Sequence, residues 1–249
     1  MYTTLLVAAI LPVIILLIAI YKADKIEKEP IGKLIVVFVF GALSVLPASS
    51  LEMLMSSHEP DGAVVGGLYK GYCVAGLCEE FVKICVLFIF VWHSRHFDEY
   101  FDGIVYAVYA SMGFACVENV MYVFSTGSLS TAAMRAILSV PGHFLFAVTM
   151  GYYFALAKFA SNRRGRYLVL AFLFPVLLHG TFDALLMIPE GMEDEGLRWM
   201  VASVLFVVFI IFDIKMWKWG MRRIHRLQYL SEEQGASVRN AFDGFHWDV

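Results

Sequence analysis

Apolar residues in this chain come in runs of about 18 to 25, the length a helix needs to cross roughly 30 Å of hydrocarbon. The runs lie at 3–21, 33–55, 69–92, 102–124, 132–157, 167–188 and 198–217. A segment in lipid must satisfy its own backbone hydrogen bonds, and a long apolar run does so as a helix. The predicted fold is therefore all-α: a polytopic membrane bundle of about seven transmembrane helices. Composition agrees, since 60% of the 249 residues are hydrophobic and only 16% charged. That is too little polar surface to cover a soluble domain of this size.

The basic residues set the orientation. The first, third and fifth loops carry Lys22, Lys25, Lys28, Arg95, Lys158, Arg163, Arg164 and Arg166, whereas the second, fourth and sixth carry none. The sixth is acidic, with Glu190, Glu193, Asp194 and Glu195, and the segment after the seventh run is basic again. Positive charge stays on the cytoplasmic side, so the N-terminus is expected outside and the C-terminus inside. No Lys or Arg precedes the first run, which is read as a retained helix rather than a cleaved signal peptide. Residues 1–227 are expected to form the transmembrane domain and 228–249 a short cytoplasmic tail. Cys73, Cys78, Cys85 and Cys116 all fall in apolar runs without CxxC spacing and read as small buried hydrophobes. No nucleotide-binding glycine loop is visible, and no nucleic-acid partner is expected.

Ionisable side chains in hydrocarbon cost several kcal/mol each unless they are paired or face a wet cavity. The third span nevertheless contains Glu79, Glu80 and Lys83, the fourth Glu118 beside Asn119, the fifth His143, and the sixth His179 and Asp183. Counted from the outer helix ends at 1.5 Å per residue, Glu79, Glu80, His143 and His179 lie roughly 14–17 Å deep, and Glu118 and Asp183 roughly 8–9 Å deep. Four helices thus place polar groups in one slab of the outer half of the membrane. His179 and Asp183 are four apart and share a helical face. Glu79 and Glu80 are about 100° apart, so at most one points squarely at a given partner. Lys83, four from Glu79 and three from Glu80, is a structural charge partner for either. Glu52 is expected to reach headgroups near the outer end of the second span.

Two hydrolytic readings fit this set. Glu79 or Glu80 can act as the base that activates water, with His143, His179, Asp183, Glu118 and Asn119 holding the water or the oxyanion. Alternatively Glu118, His143, His179 and Asp183 can bind Zn2+, whose water is the nucleophile. Ser139 near His143 has no supporting motif for a serine mechanism. A different class, a proton-coupled membrane carrier, also places carboxylates and histidines inside the bilayer, but the repeated halves of such carriers are not visible.

Glu79-Glu80-Phe81-Val82-Lys83, the block Phe101–Asn119 (FDGIVYAVYASMGFACVEN), Pro141-Gly142-His143 and His179-Gly180-Thr181-Phe182-Asp183 resemble, in order, the motifs of the PrsW family of bacterial intramembrane proteases. The resemblance implies a multi-pass protease of the bacterial cell membrane. It implies site-1 cleavage of a single-span anti-sigma factor near the extracytoplasmic side, which starts release of a sigma factor in a stress response. Glu79, Glu80 and His179 are then the catalytic residues. The family is distantly similar to the CAAX prenyl proteases: His179-x-x-x-Asp183 fits one of their motifs, Glu79-Glu80 another with Lys83 one position early, and Phe114-x-x-x-Glu118 a third with Glu in place of His. The family's functional set also includes a Glu at Glu99, which the topology puts at the opposite end of the bundle and which is read as structural.

Overall fold

The computed structural model describes residues 2–243, and every regular element among them is helical. Six helical segments are long and apolar enough to cross a membrane: Tyr2–Ala23, Ile31–Ser56, Asp102–Thr126, Leu129–Phe159, Arg164–Gly191 and Glu195–Ser237. The third expected span is also helical but falls outside that set. Glu79, Glu80 and Lys83 sit in its middle and remove the long apolar window. The chain is thus a polytopic membrane helix bundle, as expected.

Several spans are broken where the sequence allows it. The first is α1 (Tyr2–Ala23). The second divides into α2 (Ile31–Leu43) and α3 (Val45–Ser56) at Ser44, whose hydroxyl donates to the Gly41 carbonyl at 2.7 Å. Pro47 follows, tolerated in a first helical turn because the N–H it lacks would have no helical partner there. The third span is built from α4 (Ala63–Tyr69), a π-helical segment (Lys70–Gly76) and α5 (Leu77–Phe90). Such π segments recur at functional sites, and this one ends three residues before Glu79.

Helix α6 (Asp102–Thr126) runs through the centre, packed by α1, α2 and α8. Its approach to α2 is close enough that a Cβ on Gly113 would lie 2.0 Å from the Phe38 carbonyl oxygen. It stops at Gly127, whose φ of 61° gives the left-handed turn that ends many helices. Ser128 then caps the short α7 (Leu129–Ile137), followed by α8 (Ser139–Phe159) and α9 (Arg164–Met187). Finally α10 (Glu195–Asp243) is 49 residues long, about 73 Å at 1.5 Å per residue, far more than one crossing needs. The segment read as a tail therefore continues the helix; its last residues, 244–249, lie outside the described ones. All four cysteines are free thiols.

Candidate active site

The polar residues of four helices meet. Lys83, on α5 one turn below the carboxylates, is buried to 1% exposure and is the hub. Its ammonium donates to Glu79 Oε2 at 3.0 Å, Glu80 Oε1 at 2.8 Å and His143 Nδ1 at 3.1 Å. It also lies over the Phe114 ring, 4.3 Å from the centroid. Because Nδ1 of His143 accepts from an ammonium, the ring proton belongs on Nε2, which donates to Glu118 Oε2 at 2.8 Å. Glu118 in turn pairs with Arg135 of α7 at 2.8 Å.

His179 on α9 lies between two carboxylates, with Nδ1 2.9 Å from Glu80 Oε1 and Nε2 3.2 Å from Asp183 Oδ2. The spacing of four residues does bring Asp183 onto the His179 face. Phe146 stacks on the imidazole at 4.6 Å and fixes its plane. Behind it, Gly180 lets the π segment approach: a Cβ there would meet the Tyr72 ring at 2.3 Å.

These groups line a cavity of about 630 Å3 that reaches Ser56, Ser125 and Glu190 at the acidic end of the bundle. Glu79, Glu118, His143, His179 and Asp183 all form its wall. Glu80 does not, and its Oε2 is buried without a partner. Asn119 also stands apart from the cavity. It donates to the Ala9 carbonyl of α1 at 2.6 Å and accepts from Arg135 Nε at 2.8 Å, so both ends of its amide are engaged elsewhere. Glu99 lies at the Lys/Arg-rich end, in the loop before α6, where its N–H donates to Asp102 Oδ2 at 2.7 Å.

Sequence reasoning missed two members of this site. Glu52 faces the cavity from α3 rather than the headgroups. Arg135 links Glu118 and Asn119 from α7. Both sit near helix ends, where a polar residue ordinarily marks the membrane surface, and no helical spacing joins either to its partners.

The donor chemistry suits a metal ion. One ligand atom from each of Glu79, Glu80, His143 and His179 falls within 4.8 Å of all the others, and all four residues are buried. Two carboxylates and two imidazoles form a donor set that Zn2+ accepts.

The family described as PrsW family intramembrane metalloprotease matches residues 29–212. The chain is 36% identical over 231 residues to Protease PrsW of Geobacillus kaustophilus, covering 93% of this chain and 95% of that protein. It is 36% identical over 227 residues to Protease PrsW of Clostridioides difficile (89% and 90%) and 31% identical over 228 residues to that of Bacillus subtilis (91% and 97%). No solved structure matches it. Sequence likeness over nearly the whole length and the assembled Glu/His cluster lead to one conclusion: the chain belongs to the PrsW family of intramembrane proteases, multi-pass peptidases of the bacterial membrane.

Proposed function

We propose that this peptidase makes the first cut in a single-span anti-sigma factor, near the extracytoplasmic side of the membrane, and so starts release of a sigma factor under stress. The observation that carries this reading is the placement of the Glu/His cluster in a cavity that opens toward the acidic end of the bundle, where the Lys/Arg rule puts the cell exterior. A substrate helix entering there would present its outer end to the cluster.

In this reading the two adjacent glutamates have different roles. Glu79 lines the cavity, takes the proton of the attacking water and lets its oxygen add to the scissile carbonyl carbon. Glu80 lies behind, holding His179 through Nδ1. Asp183 and Phe146 complete the fixation of that ring. As the C–N bond breaks, the His179 ring, protonated between its two carboxylates, gives a proton to the departing amine and regains one from Glu79, whose Oε2 lies 3.9 Å from Nε2. Lys83 balances the two carboxylates, and the Arg135–Glu118 pair sets the orientation of His143. Glu79, Glu80, His143 and His179 are the residues that would hold Zn2+. Bound there, the ion would supply a water acidic enough to ionise near neutral pH and a Lewis acid for the carbonyl.

A reconstituted reaction tests this: the purified chain in liposomes with a terminally tagged single-span anti-sigma factor, the cut located by mass spectrometry. The expected product ends within the outer part of the substrate's span or just beyond it. A cut confined to the cytoplasmic half would overturn the reading. Chelation should abolish the reaction and Zn2+ restore it if the cluster works with a metal.

A further inference from the structure

A second buried polar cluster lies at the opposite, Lys/Arg-rich end, where the α1–α2 loop, the α5–α6 loop and the extension of α10 meet. Asp24, Glu99, Gln228 and Ser231 line a cavity there of about 10 Å3, close to the room that one water needs. Asp24, which lines that cavity, is 1% exposed, and its Oδ2 has no hydrogen-bond partner. Oε2 of Glu99 is likewise buried and unpartnered. A buried carboxylate oxygen without a partner is costly and rare in native proteins.

The neighbouring charges are mostly negative, and Lys28 offsets only part of the cost of burying Asp24. Glu29 and Asp102 neighbour each other, and Tyr106 donates to Glu29. Asp98 and Glu27 add further negative charge. Lys28 turns its ammonium to the backbone carbonyls of Tyr21 and Asp24, and Lys25 at the rim is exposed. Burial and the carboxylates of Asp24, Asp98, Glu27 and Glu29 together push the Glu99 carboxyl up to about 7.

The remaining donors are all oxygens. Ser231 already accepts the Phe101 N–H at 2.9 Å, which pins the α10 extension to the α5–α6 loop and brings its hydroxyl oxygen to the cavity. Gln228 spends its amide N–H on the Ala23 carbonyl at 2.6 Å, leaving its amide oxygen as a donor. Carboxylate, hydroxyl and amide oxygens without nitrogen or sulfur are the ligands of hard cations.

We infer that this cavity binds one hard divalent cation, Mg2+ or Ca2+, through Asp24 and Glu99 with Ser231 and Gln228 beside them, and that the ion clips the α10 extension onto the two loops. The site is separate from the Glu/His cluster and does not depend on what that cluster cleaves.

The test uses the full chain in detergent, stripped with chelator and titrated with Tb3+ as a luminescent stand-in, then with Ca2+ and Mg2+ as competitors. The expected result is a saturable Tb3+ site that both ions displace, weakened at least tenfold in Asp24→Asn and in Glu99→Gln and kept in His143→Ala. Binding unchanged by Asp24→Asn and Glu99→Gln, or lost in His143→Ala, overturns the proposal. So does the absence of any saturable site, with Lys25→Ala lowering stability, because the lysine then fills the cavity. Wild type alone gives a second reading: Mg2+ should slow trypsin cleavage at Arg222, Arg223 and Arg226 several-fold, and an unchanged rate contradicts the clip.

Discussion

The two ends of the bundle solve the burial of carboxylates in different ways. At the acidic end, Glu79 and Glu80 share one ammonium, Glu118 pairs with Arg135, and two imidazoles bond to Glu118 and Glu80, while Glu80 Oε2 keeps no partner. That cluster holds two cations, Lys83 and Arg135, among its carboxylates and opens on a large cavity. At the other end Asp24 and Glu99 keep unpartnered oxygens beside a cavity of about 10 Å3, and the Lys28 ammonium bonds to backbone carbonyls. A cluster with cations paired to its carboxylates, beside a large cavity, suits reaction on a polypeptide. One whose carboxylates lack such a paired cation, beside a small cavity, suits a cation. The difference lies in the paired cations and the cavity size, since both clusters draw on several separate chain segments.

The largest effect should come from the Glu/His cluster's own reactive groups. Glu79→Ala, Glu80→Ala and His179→Ala should each lower cleavage of a co-expressed single-span substrate about 10²–10⁴-fold while the protein still inserts. Substantial cleavage by all three would leave the cluster a structural knot like its counterpart. Next comes Lys83→Met, which strands two buried carboxylates. It should cost about 3–5 kcal/mol, as breaking a buried pair from one side usually does, measured by thermal unfolding in detergent. An unchanged melting temperature would mean that the glutamates are not charged together.

Arg135→Gln probes the edge of the same cluster. Removing a partner that orients a site residue should reduce turnover about 10–100-fold, with Arg135→Lys restoring part of it. A pure loss of stability with normal turnover in the surviving fraction would reduce Arg135 to a helix tether. The smallest change is expected for Ser139→Ala, which alters the cavity wall but no hydrogen bond to an imidazole among the described residues. Turnover should stay at the wild-type level, and a severe loss would revive a serine nucleophile.

Much of this was legible in the sequence because the bilayer leaves few choices. Apolar run length and loop charge were enough to place seven helical segments, and the common depth of Glu79, Glu80, His143 and His179 correctly placed them together. Spacing alone put Asp183 beside His179. Other features depend on tertiary detail that periodicity does not carry. The split between Glu79 and Glu80 needed the positions of Lys83 and His179 around α5. Asn119 was read with the site because it adjoins Glu118, yet its partner is a backbone carbonyl at Ala9, and every residue type offers one. The π segment packs closely on α9 at Gly180, and no hydrophobic pattern announces it. Glu52 was misread for a related reason: a carboxylate near a helix end looks interfacial until α3 is seen to border a cavity.

The turnover of Glu79→Gln, measured beside wild type in liposomes with a tagged anti-sigma substrate, probes the main assertion most directly. A folded, inserted variant that yields no cleaved product is the predicted result, because the water-activating oxygen is gone while its shape remains. Product formed at the wild-type rate would show that the carboxylate facing the cavity does not take part in the reaction.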